Sequence, residues 1–192
     1  MAFIFSFSFG VYIGCLNKQK KSSNSGFNLE KENIKIFFSP NGGAREAIIS
    51  EIKNAKSDIY IFAYAFNCPK IYQALLNAHS QGVKIYTFID KSQMNIPRSL
   101  SQKLFEISDE CYTNTSKIKI QHIKSMIIDS KVVITGSFNF TIPAEERNAE
   151  NLLIINSEDL AIHYQNNWEN YIRNFRYAKP VSRTFFKEKK AA

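Results

Sequence analysis

With 192 residues and a formal net charge of +8, the chain is long enough for one domain that buries roughly 70% of the surface its unfolded form exposes, so no second domain is required. The charge is uneven: residues 1–35 carry +3, residues 173–192 carry +6 and the body from 36 to 172 carries −1. Basicity therefore belongs to the two ends, which suit a nucleic-acid backbone or an anionic membrane surface, or are simply solvated tails. Cys15, Cys68 and Cys111 exclude a disulfide framework and lack metal-ligand spacing. Export would allow Cys68 and Cys111 to pair, but free buried thiols are the expectation.

Residues 2–16, AFIFSFSFGVYIGCL, hold no charge and precede Lys18, Lys20 and Lys21. That run is shorter than the ~20 residues a spanning helix needs and fits the core of an export signal. Residues 1–16 are accordingly read as an export signal or membrane anchor, which implies an exported, periplasmic or membrane-anchored protein rather than a cytoplasmic one. A basic segment ahead of the run is missing, and Phe3, Phe5, Phe7 and Phe9 alternate as a strand would. Tyr12 to Cys15 resembles a bacterial lipoprotein processing site, with Tyr where Leu is usual, so lipidation of Cys15 is the lesser reading. Residues 17–33 are polar and read as a tether.

The folded body, 34–175, opens with a short strand from Ile34 to Phe38, ended by Ser39-Pro40-Asn41-Gly42-Gly43. Ala44, Ile48, Ile52 and Ala55 recur at helical spacing. Asp58 to Phe66 is a second strand, with Ile59, Ile61, Ala63 and Ala65 on one face and aromatics on the other, as expected of a strand covered on both sides. Pro69 to Ser80 is a helix opened by proline and stopped before Gly82. Val83 to Ile89 is a third strand, 98–107 a short helix and 117–121 a fourth strand. A hairpin, a strand from Leu152 to Ile155 and a closing helix complete the body. That helix has Ser157 as its N-cap and a stripe of Leu160, Tyr164, Trp168, Tyr171, Ile172 and Phe175. The stripe is read as core rather than as a base-stacking platform, because otherwise the helix would bury nothing. Strands alternating with helices predict an α/β fold: a mixed, largely parallel β-sheet flanked by helices on both faces. Residues 176–192 form a basic arm.

The hairpin stretch, HIKSMIIDSKVVITGSFN, sets polar residues on a grid: His122, Lys124, Asp129, Gly136, Ser137 and Asn139. Apolar runs lie between them, and Asp129-Ser130-Lys131 is a polar break that can turn the chain. Alternation along a strand puts His122 and Lys124 on one face. Asn139 and Ser137 add neutral donors, and Gly136 lets backbone approach a ligand. Such donors suit a phosphate. An imidazole is able to act as a neutral nucleophile near physiological pH, and Lys124, Asn139 and Ser137 can neutralise and orient phosphoryl oxygens. No His/Asp/Glu cluster has metal-ligand spacing, so neither metal nor other cofactor is expected. His79 and His163, on predicted helices, are read as ordinary structural residues.

The pattern HxK(x)4D(x)6GSxN is complete here and resembles the signature of the phospholipase D superfamily. Asn148-Ala149-Glu150-Asn151, leading into the apolar run from Leu152, is similar to the small bacterial single-motif endonucleases of that superfamily. The likeness runs from Ile34 to Phe175. It implies that His122 attacks phosphorus to give a phosphohistidine, while a second motif histidine protonates the leaving group and then activates water. One motif per chain then implies a homodimer with a shared site on its twofold axis. Glu150 is implied to accept a hydrogen bond from the other nitrogen of His122 and fix its tautomer. Asp129 fits a role in holding the hairpin better than a chemical one. The implied activity is a metal-independent endonuclease acting on DNA, with single strands and RNA left open. A phospholipase D hydrolysing phospholipid head groups is the alternative, favoured by the candidate anchor. A nucleic-acid-binding module with a degenerate site comes third, and the intact motif speaks against it.

Overall fold

Strand β2, Asp58–Ala63, is apolar on both faces and so needs cover on both. In the computed structural model, which describes residues 33–173 and 177–181, it lies near the middle of an eight-stranded sheet ordered β1-β7-β6-β5-β2-β3-β4-β8. The other strands are β1 (Ile34–Ser39), β3 (Lys84–Ile89), β4 (Glu110–Asn114), β5 (Ser125–Ile128), β6 (Val132–Gly136), β7 (Glu150–Asn156) and β8 (Ala178–Pro180). Helices α1 (Ala44–Asn54), α2 (Pro69–Ser80) and α3 (Ser101–Ile107) cover one face, where Ile48, Ile52, Leu75 and Phe105 bury against Ile59, Ile61 and Ile85. The short helix α4 (Ile142–Glu146) lies between β6 and β7, and α5 (Glu158–Arg173) covers the other face.

The closing helix behaves as its stripe predicts. Ser157 Oγ accepts from the Leu160 N–H at 3.2 Å, capping α5. Trp168 is buried, its ring 4.9 Å from Phe62 and 5.5 Å from Tyr60, so the middle of the aromatic face is core, while Tyr171 one turn on is half-buried and Phe175 lies outside the described residues. Cys68 and Cys111 are buried thiols and not joined in a disulfide, as expected.

The expectation of a largely parallel sheet needs correcting. Among the described strands, only β2–β3 and β3–β4 pair parallel, each through a helical crossover; β1–β7, β7–β6, β6–β5, β5–β2 and β4–β8 are antiparallel. From β5 onward the order of elements hides a meander. Asp129 and Ser130 both take positive φ, 54° each, the backbone of a tight hairpin turn that reverses the chain. The fourth strand is also misplaced. It is Glu110–Asn114 rather than 117–121, because side chains take up the backbone of the later segment. Asp90 Oδ2 accepts from Gln121 N at 2.6 Å, Gln121 Oε1 from Ile123 N at 2.6 Å, and Asn114 Nδ2 donates to Ile118 O at 3.2 Å.

β8 lies beyond the expected end of the body at 175 and pairs with β4, so the start of the basic arm belongs to the sheet. The export signal or anchor read in 1–16, the tether up to residue 32 and the arm from 182 lie outside the described residues. What matters for function is one end of the sheet, where β2, β3, β4 and β6 finish and β5 and β7 start.

Candidate active site

β5 runs antiparallel to β2 with Ser125 opposite Phe62, so the residues just ahead of it, His122 to Lys124, project past the end of β2 towards Tyr64. The alternation read from sequence holds: His122 and Lys124 line the same depression, while Ile123 packs into the core beneath α5. His122 is exposed and Lys124 only 7% exposed. The ammonium donates to the His122 carbonyl at 2.6 Å and sits 5.4 Å from the centre of the Tyr64 ring. Burial holds the Lys124 pKa below its usual value, and Glu150 pulls partly the other way. A desolvated ammonium under an exposed imidazole is a strong local charge for an anion to meet.

The opposite wall comes from the β6–β7 junction. Gly136 closes β6 at φ 149°, and a Cβ there would lie 2.2 Å from the Asn151 carbonyl oxygen, so only glycine permits the approach. That approach lets Ser137 N donate to Asn151 O at 3.1 Å. Ser137 Oγ donates to Glu150 Oε2 at 2.5 Å, and Asn148 Nδ2 donates to Glu150 Oε1 at 3.0 Å. Asn139 Oδ1 is buried and has no hydrogen-bond partner among the described residues. A buried amide end left unpaired costs free energy unless a ligand completes it, and an amide can present either oxygen or NH₂.

The depression is thus lined by His122, Lys124, Gly136, Ser137, Asn139 and Glu150. Asp129, included among the candidate site residues, is not part of it and belongs to the far end of the hairpin. Its carboxylate accepts from the backbone N–H groups of Lys56 at 2.8 Å, Ser57 at 2.7 Å and Asp58 at 3.2 Å. Burial pushes its pKa up, but these donors and the Ser57 hydroxyl outweigh that and hold it below the usual carboxylate value. The expected bond between Glu150 and His122 is also absent, since Ser137 and Asn148 occupy the carboxylate instead.

Tyr64 is the site residue that sequence reasoning missed. Its ring meets the His122 imidazole edge-on, 4.8 Å between centroids at 61°, while also facing the Lys124 ammonium. A signal existed: Tyr64 continues the period-two aromatic face of Tyr60 and Phe62 by one more step. A separate recess, lined by residues including Lys35, Glu51, Val132 and Asn156, holds a Lys35–Glu51 ion pair at 3.0 Å but no nucleophile. The chemistry therefore belongs to the His122 depression.

Exposed basic side chains gather at the same end of the sheet, where Glu146 and Glu150 also lie. Lys91, Arg98, Lys117, Lys119 and Arg147 are exposed and lie in the connections that leave or enter the sheet there. Among the described residues, none of them is within ion-pair distance of a carboxylate. Asp58, Asp109, Glu110 and Asp129 lie towards the opposite end.

This fold and site define a phospholipase D-like phosphodiesterase. Residues 48–172 match the family described as cardiolipin synthase, PLD-like domain, and the chain belongs to the phospholipase D superfamily. It is 34% identical over 182 residues to a phospholipase D of Rickettsia prowazekii, covering 88% of each chain. It is 30% identical over 135 residues to the mitochondrial cardiolipin hydrolase of Xenopus tropicalis, covering 70% of this chain and 62% of that one. Among solved structures it is similar to Nuc of Salmonella typhimurium, a phospholipase D family member, with TM-score 0.69, 32% identity and coverage of 77% of this chain and 97% of that one. NucT from Helicobacter pylori shares the fold at TM-score 0.67 and 24% identity, over 73% of this chain and 95% of that one.

Proposed function

We propose that the protein is an endonuclease that cleaves the phosphodiester backbone of DNA at a site completed by a second copy of itself, without a metal ion. The observation that carries this is the pairing of one exposed imidazole over a buried ammonium with a set of unpaired basic side chains at the same end of the sheet. A single head group presents one or two phosphates and needs no such set. A polyanion engages all of it.

In the proposed reaction His122 attacks phosphorus, the bond to the leaving oxygen breaks, and a phosphohistidine forms. The Lys124 ammonium and the Asn139 amide face the phosphoryl oxygens as charge builds on them, while the Ser137 hydroxyl, its proton given to Glu150, holds the wall. The depression offers a single imidazole, so the proton for the departing oxygen comes from the partner subunit's His122, which then takes a proton from the water that releases phosphate from nitrogen. Ser137 and Asn148 hold the Glu150 carboxylate at the rim, close enough in the wall to steady the phosphohistidine stage electrostatically.

Hydrolysis of phospholipid head groups is the second reading, favoured by the rickettsial relatives that carry the name phospholipase D. The two separate by incubating the purified protein in EDTA with plasmid, single-stranded DNA and phosphatidylcholine vesicles. DNA cleavage is expected; lipid turnover with intact DNA reverses the order. Complete inactivation by the chelator, restored by added cation, removes the metal-free mechanism.

A further inference from the structure

A groove lies between α5 and the loop that leads to His122, lined by Ile118, Asn167, Asn170, Tyr171 and Tyr177. We infer that it is a subsite for an unpaired nucleobase flanking the scissile phosphate, an inference that rests on the nuclease reading and adds a strand preference to it. Its position follows from the topology. β8 pairs with β4 with Ala178 opposite Asn114, and Thr115 N donates to the Tyr177 carbonyl at 3.0 Å, so Tyr177 stands at the active-site end of the sheet. Tyr171 packs in the same cluster as Ile123, which follows His122 in the chain with its side chain turned to the other face. Ile118 precedes His122 by few enough residues that the chain limits their separation to roughly 14 Å, within reach of neighbouring nucleotides on one strand.

The chemistry of the lining selects the occupant. The Tyr171 and Tyr177 rings are half-buried, 6.0 Å apart and at 72°, which makes an aromatic corner that can take a flat ring against one wall. Asn167 and Asn170 fall three residues apart on the exposed side of α5, so their carboxamides are neighbours. Each offers both a donor and an acceptor, matching the mixed edge of a base. Lys117 and Lys119 flank Ile118 and are exposed, placed to meet the phosphates on either side. The one carboxylate between the two asparagines, Glu169, is paired with Arg173 and does not oppose an anion. A base inside a duplex has its pairing edge occupied and its faces stacked, so the groove discriminates for single strands. An acyl chain uses neither carboxamides nor lysines, and a head group has no flat ring to stack.

The test compares Tyr177→Ala and the double variant Asn167→Ala/Asn170→Ala with the wild type on three substrates: bis(4-nitrophenyl) phosphate, a short single-stranded oligonucleotide and the matching duplex. KM for the single strand is expected to rise about tenfold in Tyr177→Ala, the scale of one lost base stack, and by about as much in the double variant, the scale of one or two lost hydrogen bonds. Hydrolysis of the small diester stays within about twofold, and preference for the single strand over the duplex shrinks. Tyr177→Phe keeps the stacking face and is expected to behave as wild type. If both variants keep the wild-type KM for the oligonucleotide while hydrolysing the small diester normally, the groove is not a subsite. If Tyr177→Ala also loses the small diester, the double variant, on exposed helix positions, decides alone by the same criterion. A wild type that hydrolyses the small diester and phosphatidylcholine vesicles but neither nucleic acid overturns the nuclease reading itself, a result distinct from failure of the groove.

Discussion

At the scale of single residues, the site divides into groups that react and groups that hold them. His122→Ala is expected to lower kcat by at least about 10³-fold, the scale seen when a nucleophile is removed, with the thermal unfolding midpoint unchanged because the side chain is exposed. Activity within a few-fold of wild type would show that another group attacks phosphorus. Tyr64 belongs to the holding set, since its ring touches the imidazole and faces the ammonium at once. Tyr64→Ala frees the imidazole to rotate and opens Lys124 to water; kcat/KM falls by about tenfold, between the values for an exposed and a fully desolvated cation–π contact. Burial is what holds the Lys124 pKa down, so opening the ammonium to water raises that pKa in the variant, which a nitrogen-15 NMR titration of the lysine reads directly. Tyr64→Phe keeps the ring face and is expected to retain both the rate and the Lys124 titration. An unmoved Lys124 titration in Tyr64→Ala would detach Tyr64 from Lys124.

At the scale of elements, Asp129 shows why a motif residue need not touch substrate. The β5–β6 turn places its carboxylate over the backbone N–H groups of Lys56, Ser57 and Asp58, which tie the end of α1 and the start of β2 to the hairpin that carries the site. Its folded pKa is depressed, so its contribution to stability is complete above the ordinary carboxylate value and fades as pH falls through the folded one. Asp129→Ala is expected to cost about 1–2 kcal/mol near neutrality, the low end for hydrogen bonds to a charged group because the carboxylate is part-exposed. In urea titrations the gap between variant and wild type should close in acid. A gap that stays constant from neutral to strongly acidic pH would mean the charge is not what clamps the turn.

At the scale of the whole molecule, each chain brings one imidazole to an open depression, and the proposed chemistry needs two. Mixing His122→Ala chains with Lys124→Ala chains should leave activity near background, because every shared site then lacks one histidine or sits on a damaged half. Substantial recovery after mixing would show that the subunits complement each other with one intact histidine and so remove the need for two, whereas full rate from a species that sedimentation shows to be monomeric would point to independent monomers.

The residues that form the depression could be read from the sequence because strand alternation and motif spacing are local: His122 and Lys124 share a face by period two, and Gly136 marks a close backbone approach wherever the sheet lies. The ends of α2 and the core role of the α5 stripe were legible for the same reason, since helical spacing and capping act within a few residues. Direction of strand pairing was not, because a tight turn and a crossover can join strands of the same composition, and only long-range hydrogen bonding decides between them. The partners of Glu150, the packing of Tyr64 on His122 and the groove between α5 and Tyr177 likewise exist only once segments distant in sequence meet. The chain alone determined which groups are available to a phosphate; the tertiary fold decided which of them face it, because burial and contact depend on neighbours that sequence order does not name.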